Sequence, residues 1–270
     1  MVSSGLPSMS TDYATILYDV AAAPVARVTM NRPDKRNPIG PQSCGEIVHA
    51  LAAAKADPAI RCVVITGAGK AFSAGGDLSQ MSGQAGGPGA NVPPASLPQL
   101  FAAMHALGKP IVAMVNGPAL AGGMGLMVAC DLVVCSDAAE LGTTEINLGL
   151  WPMMITAEIT RSVGRKKTLE LMLTGKKISA AEAERIGLVN KVVHADRLEE
   201  ETMALARELA GKSPSAMRLG LSSYYDTQDM EFAKALEHLQ TQLGAVLATE
   251  DAAEGLAAFF QKRAPVWKGK

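Results

Sequence analysis

The sequence predicts an α/β protein in which strands and helices alternate through the first half of the chain and helices alone fill the second. Three observations predict it. Short apolar, β-branched runs at residues 60–66, 111–115 and 132–135 have the length and composition of buried strands. The first two run into glycine-rich turns, and the turn at Ala121-Gly-Gly-Met-Gly125 opens an apolar segment, 126–130, that reads as the first turns of a buried helix. Beyond Met153 the apolar residues fall at helical spacing.

In order, residues 1–10, rich in Ser and Gly, read as a disordered leader. Residues 14–18 and 25–30 are apolar or alternating segments separated by Ala21-Ala-Ala-Pro24, which predicts a hairpin at the start of a sheet. Asn31-Arg-Pro-Asp-Lys-Arg-Asn-Pro38 reads as a loop, because it combines two prolines with clustered polar residues. Its cations Arg32, Lys35 and Arg36 suit either contact with phosphates or simple solvation. Residues 41–56 keep helical spacing, and the strand 60–66 ends in a turn that carries Gly67-Ala-Gly-Lys70. That string is not a Walker A loop, which would need Gly where Val64 stands and Ser or Thr where Ala71 stands. Asp77 reads as the N-cap of a short helix over 78–81, and 83–98, dense in Gly, Pro, Ala and Ser, reads as a long surface loop. Helices are expected over 97–107, 155–163, 165–173, 180–186, 196–210, 214–226, 230–247 and 250–261. The expected division is a core at 11–195 and a helical region at 196–270.

Composition narrows the function. Of 270 residues 48% are hydrophobic and 19% charged, an ordinary globular balance with enough apolar mass for a sizeable core. A net charge of −1 supplies no field that would gather nucleic acid or an anionic membrane. No run approaches a membrane-spanning length, and no basic-then-apolar signal precedes the first strand. Cys44, Cys62, Cys130 and Cys135 lie in apolar contexts without metal-ligand spacing, as expected of reduced core thiols in a cytoplasmic protein.

Two features carry chemistry. The glycines at 75–76 and 122–123 sit where a strand end meets a turn, so their N–H groups suit an oxyanion or a phosphate, or the small residues serve tight packing. Glu145 is the only acidic residue between Glu140 and Glu158, in a segment of small and apolar residues. Poor solvation there would raise its pKa, as a general acid or base requires; the alternative is a capping role at Thr143 or Thr144.

These motifs together resemble the crotonase superfamily, the enoyl-CoA hydratases and isomerases, from about residue 13 to 267. The matching stretches are Val28-Thr-Met-Asn-Arg-Pro33, Val63-Val-Ile-Thr-Gly67, Lys70-Ala-Phe-Ser-Ala-Gly-Gly-Asp77, Lys109-Pro-Ile-Val-Ala-Met-Val-Asn-Gly117, Ala121-Gly-Gly-Met-Gly125, Ala129-Cys-Asp131, Leu173-Thr-Gly-Lys-Lys-Ile-Ser-Ala180 and Glu254-Gly-Leu-Ala-Ala-Phe259. The resemblance implies an α/β, crotonase-like spiral of ββα turns with a helical C-terminal trimerisation region. It implies an acyl-CoA thioester as substrate, no separate cofactor or metal, and a homotrimer or hexamer. Gly76 and Gly122 would supply the two oxyanion N–H groups, Ala74 would lie along the adenine and pantetheine path, and Arg32, Lys35 or Lys70 would face phosphates. Trp151, with Met153 and Met154, would line an acyl pocket or serve as plain packing.

The family's hydratases hold water between two glutamates. The first of those positions falls on Gly125 and the second on Glu145. One carboxylate can take a proton and return it elsewhere on the same face, which suits double-bond isomerisation better than hydration. If Gly125 is helical, a glutamate there would restore the second carboxylate. The alternative is a non-catalytic acyl-CoA-binding or scaffold protein of the same fold.

Overall fold

The structure, a computed structural model, describes residues 12–77 and 91–270. Ile16–Asp19 (β1) and Val25–Met30 (β2) form the expected antiparallel hairpin, with Ile16 opposite Met30. Cys62–Gly67 (β3), Ile111–Val115 (β4), Leu132–Ser136 (β6) and Lys191–Val193 (β9) then add in parallel, giving a six-stranded sheet in the order β1-β2-β3-β4-β6-β9. Every residue of β3 and β4 is buried, which is why these segments are continuously apolar rather than alternating.

Because successive side chains point to opposite faces, each central strand feeds two cores. Val63, Ile65, Ile111, Ala113 and Val115 face one, packed by Ile47 and Leu51 of helix Pro41–Ala56 and by Met124 and Leu126 of helix Gly122–Val128. Cys62, Val64, Val112 and Met114 face the other, which Leu198, Met203, Ala206 and Ala210 of helix Leu198–Ala210 close from behind. Thus the first helix of the stretch 196–270 belongs to the packing of the main sheet.

A second sheet of three short strands, Ala119–Leu120 (β5), Glu140–Gly142 (β7) and Ile178–Ser179 (β8), lies beside the first in the order β5-β7-β8. Isolated bridges from Ile39 to Gly76 and from Ser73 to Ala119 extend this pairing across the glycine turns. Helix Ile155–Thr174 is broken at Gly164, whose φ of 70° interrupts it where two helices are expected.

Three helices follow, Pro214–Thr227, Phe232–Leu247 and Glu250–Phe260. The middle one buries no residue, and Phe232, Leu236, Leu239, Leu243 and Leu247 form an exposed apolar stripe at helical spacing. Asp251, 1% exposed, ties the last helix to the chain's end. Its carboxylate accepts from the Ser213 and Ser215 hydroxyls at 2.7 and 2.9 Å and from the Lys268 and Gly269 N–H groups at 2.7 and 3.0 Å. Burial opposes its ionisation, but these donors outweigh that and hold the carboxyl at about 2.

All four cysteines are buried free thiols; burial pushes Cys44, Cys62 and Cys135 up to about 12, and Cys130 well above its ordinary value. Among the described residues no cluster of His, Cys, Asp and Glu suits a metal ion, and no helix is long and apolar enough to cross a membrane. The helix expected over 78–81, the leader at 1–10 and the first half of the loop at 83–98 lie outside the described residues.

Candidate active site

Two turns are laced side by side. The Ser73 N–H donates to Pro118 O at 3.0 Å, and the Leu120 N–H donates back to Ser73 O at 2.9 Å. On the other flank the Ile39 N–H donates to Gly75 O at 2.7 Å and the Asp77 N–H donates to Ile39 O at 2.8 Å. This parallel bridge passes over Gly76, so its N–H points away from Ile39. The turns approach so closely that a Cβ on Gly75, whose φ is +107°, would lie 2.7 Å from the Ala121 Cβ. Ala121 itself holds φ 50°, ψ −127°, with its N–H donating to Gly142 O at 2.7 Å. That strained conformation turns the next residue, Gly122, toward the first loop. An ideal Cβ on Gly122 would come 3.8 Å from the Gly76 nitrogen. Neither the Gly76 nor the Gly122 N–H donates to any described residue, so two neighbouring backbone donors remain free.

Both glycines line a cavity of about 680 Å³ together with Ala74, Glu145 and Trp151, so the structure brings these five expected residues together. Ile155 completes the wall, and the exposed Leu148, Met153 and Met154 extend it as apolar surface. Glu145 opens the single 3₁₀ turn Glu145–Leu148, and Thr144 before it makes no side-chain cap, which removes the capping alternative for that residue. Its Oε2 is buried without a hydrogen-bond partner. Burial pushes the carboxyl above the ordinary glutamate value, partly offset by the residue's own N–H.

Asp77, the only other charged residue in the lining among the described residues, receives the Arg32 guanidinium at 2.7 Å. Arg32, expected to face phosphates, is therefore committed to an ion pair in which both side chains are largely buried. Lys35 and Lys70 are exposed and outside the lining, on loops joined by Asn37, whose Nδ2 donates to Ala68 O and Ala71 O at 2.9 and 2.8 Å. Gly125 is helical as expected, but the room for a side chain there is taken by Ile155, whose Cγ2 lies 2.1 Å from an ideal Cβ. Ile155 and Ala121 are the cavity-lining positions that sequence reasoning missed. The first looks like any apolar helix residue, and the second carries no sign of its positive φ.

A pH profile follows from the Glu145 environment. A carboxylate base works only when ionised, so if Glu145 is that base its raised pKa moves the loss of activity on acidification above the ordinary glutamate value of 4.5. We expect kcat/KM on an enoyl thioester to fall through a single-proton limb centred above that value. A limb at or below it would assign proton transfer to another group.

The profile of the enoyl-CoA hydratase/isomerase family matches residues 21–270. A Thermus thermophilus protein named for enoyl-CoA hydratase activity is 39% identical over 92% of this chain and 99% of its own length. The 2,3-dehydroadipyl-CoA hydratase of Escherichia coli is 36% identical over 91% of this chain and 96% of its own. The crystal structure of enoyl-CoA hydratase from Bacillus anthracis superposes with a TM-score of 0.86 at 31% identity, covering 95% of this chain and 100% of that one. With the laced glycine turns, the two free N–H groups and the buried glutamate in place, these likenesses establish that the chain belongs to the enoyl-CoA hydratase/isomerase family, the crotonase superfamily.

Proposed function

We propose that this chain is an acyl-CoA enzyme that holds a thioester carbonyl oxygen between the N–H groups of Gly76 and Gly122 and uses Glu145 as its one acid/base. It moves the double bond of an enoyl-CoA in preference to hydrating it. The observation that carries this reading is the Glu145 Oε2, buried and unpartnered in a cavity whose other carboxylate, Asp77, is neutralised by Arg32. Taking a proton from C2 of a 3-enoyl thioester leaves a dienolate whose negative charge gathers on the thioester oxygen. Two preorganised donors in a dry site contribute about 3–4 kcal/mol each to that state. The pair left by the broken C2–H bond becomes the C2=C3 π bond, and the C3=C4 pair bonds the proton that Glu145 returns to C4, so one carboxylate balances the reaction.

No Lys, Arg or His lines the cavity among the described residues, and residues 78–90 contain none. This supports an acyl group without a second charge, unlike the dicarboxylic acyl in the name of the Escherichia coli relative. Lys35 and Lys70, exposed and with no ion-pair partner among the described residues, are available to meet the phosphates of coenzyme A. No cofactor beyond that carried by the substrate is required. The apolar stripe from Phe232 to Leu247 supports assembly into a homotrimer or hexamer, and four buried thiols suit the cytoplasm.

The names of the relatives favour a second reading, hydration. A panel of 2-enoyl and 3-enoyl thioesters, followed by the absorbance of the conjugated 2-enoyl thioester, separates the two, since it rises on isomerisation and falls on hydration. We expect turnover of 3-enoyl substrates to exceed 2-enoyl hydration by at least ~10²-fold, the lower end of one general acid–base contribution. Faster hydration would overturn the isomerase reading, and binding without turnover of either would make the chain a non-catalytic acyl-CoA-binding protein.

A further inference from the structure

Gly125 lies in helix Gly122–Val128, just after the Gly122 N–H, and is buried. An ideal Cβ there falls 2.1 Å from Ile155 Cγ2 and 2.8 Å from Ile155 Cβ, while Phe101 stands off at 3.5 Å. A rotamer change cannot relieve this, because the Ile155 Cβ is fixed to its backbone and a β-branched side chain is stiff at χ1. Ile155 opens helix Ile155–Thr174, is 2% exposed and lines the cavity. One side chain thus closes the direction out of Gly125 and turns a hydrocarbon face to the bound acyl group. That face can neither hold a water molecule nor deliver a proton.

We propose that Ile155 is a specificity-determining residue: by occupying the space a side chain at 125 would need, it keeps a second carboxylate out of the cavity and confines the site to chemistry that one glutamate can complete. The proposal rests on the reading of Glu145 as the acid/base. Hydration of a 2-enoyl thioester bonds the water oxygen to C3 and breaks the C2=C3 π bond. The electron pair passes through the enolate to C2, a water proton leaves to one carboxylate, and C2 gains a proton. Holding the water and protonating C2 in one passage calls for two groups. Isomerisation consumes no water and moves one proton, so it survives with Glu145 alone.

The test crosses the two positions. A helical Gly→Ala change normally stabilises, so the sign of the effect reports the clash. Gly125→Ala is expected to lower the melting temperature in the parent and to raise it in an Ile155→Gly background, which alone removes the Cβ that would stand 2.8 Å away. Gly125→Glu alone is expected to melt lower and to gain no hydration. Gly125→Glu combined with Ile155→Gly is expected to melt above Gly125→Glu and to hydrate a short 2-enoyl thioester at least ~10²-fold faster than either single variant. Stabilisation by Gly125→Ala in the parent, or hydration gained by Gly125→Glu alone, would show that Ile155 closes nothing. A folded double variant without gained hydration would show that this pair does not set the reaction. If the double variant fails to fold, the alanine cycle still decides whether Ile155 occupies the space. Failure of the underlying acid/base reading shows separately, as isomerisation that survives Glu145→Gln in the parent.

Discussion

Glu145→Gln is expected to retain thioester binding and lose at least about 10³-fold in kcat, within the range that a positioned acid or base contributes. The amide fills the same volume at the head of the turn Glu145–Leu148 but cannot take up and return a proton near neutral pH. Stability should move the other way. Burial raises the carboxyl's pKa in the folded protein, so ionised Glu145 opposes folding once pH rises through that value, whereas the neutral amide does not. The variant should therefore melt at or above the parent at pH 8, with the gap closing toward pH 4, where the glutamate is protonated in both states. Equilibrium binding of a substrate analogue, single-turnover rates and melting at both pH values check the three parts. A variant that turns over at the parental rate would remove Glu145 from the chemistry.

The second large effect is expected at Gly75. Replacing it with Ala places a Cβ 2.7 Å from the Ala121 Cβ and 3.0 Å from Leu120 O, at a φ of +107° that side chains rarely adopt. Backbone strain of about 1–3 kcal/mol adds to overpacking of similar size. More consequentially, the two turns must part, which moves the Gly76 N–H away from the Gly122 N–H. Losing one donor of an oxyanion pair costs roughly 10²-fold or more in kcat. Gly187→Ala is the control, since its φ of +85° is strained while nothing lies within 4 Å of its Cβ. If Gly75→Ala costs no more in melting temperature and activity than Gly187→Ala, the close approach of the turns has no functional weight.

Where one segment carries its own pattern, the sequence is a good guide. The strand at 111–115 and the helix at 41–56 appear with the expected bounds, because a buried parallel strand and a long helix each repeat their signal over enough residues to be seen. Ala119–Leu120, Glu140–Gly142 and Ile178–Ser179 have no period to show in two or three residues; partners distant in sequence define them. Lys191–Val193 forms an edge strand for the same reason. The site divides likewise. Glu145 was legible as a lone carboxylate among apolar neighbours, and the glycine turns as places where backbone must come close. The Arg32–Asp77 pair and the Ile155–Gly125 contact join separated segments, and only the fold brings them together.

The four sunken sulfhydryls make the chain its own reporter of opening. A thiol held near 12 by burial offers almost no thiolate at neutral pH, so an alkylating reagent waits for the surrounding packing to part. Cys62 and Cys135 lie within β3 and β6, so their labelling would time the separation of the central sheet. Cys44 is set into the cavity wall, so its labelling would time the breathing of the pocket. Any difference between those clocks measures how far the pocket loosens while the sheet behind it stays closed.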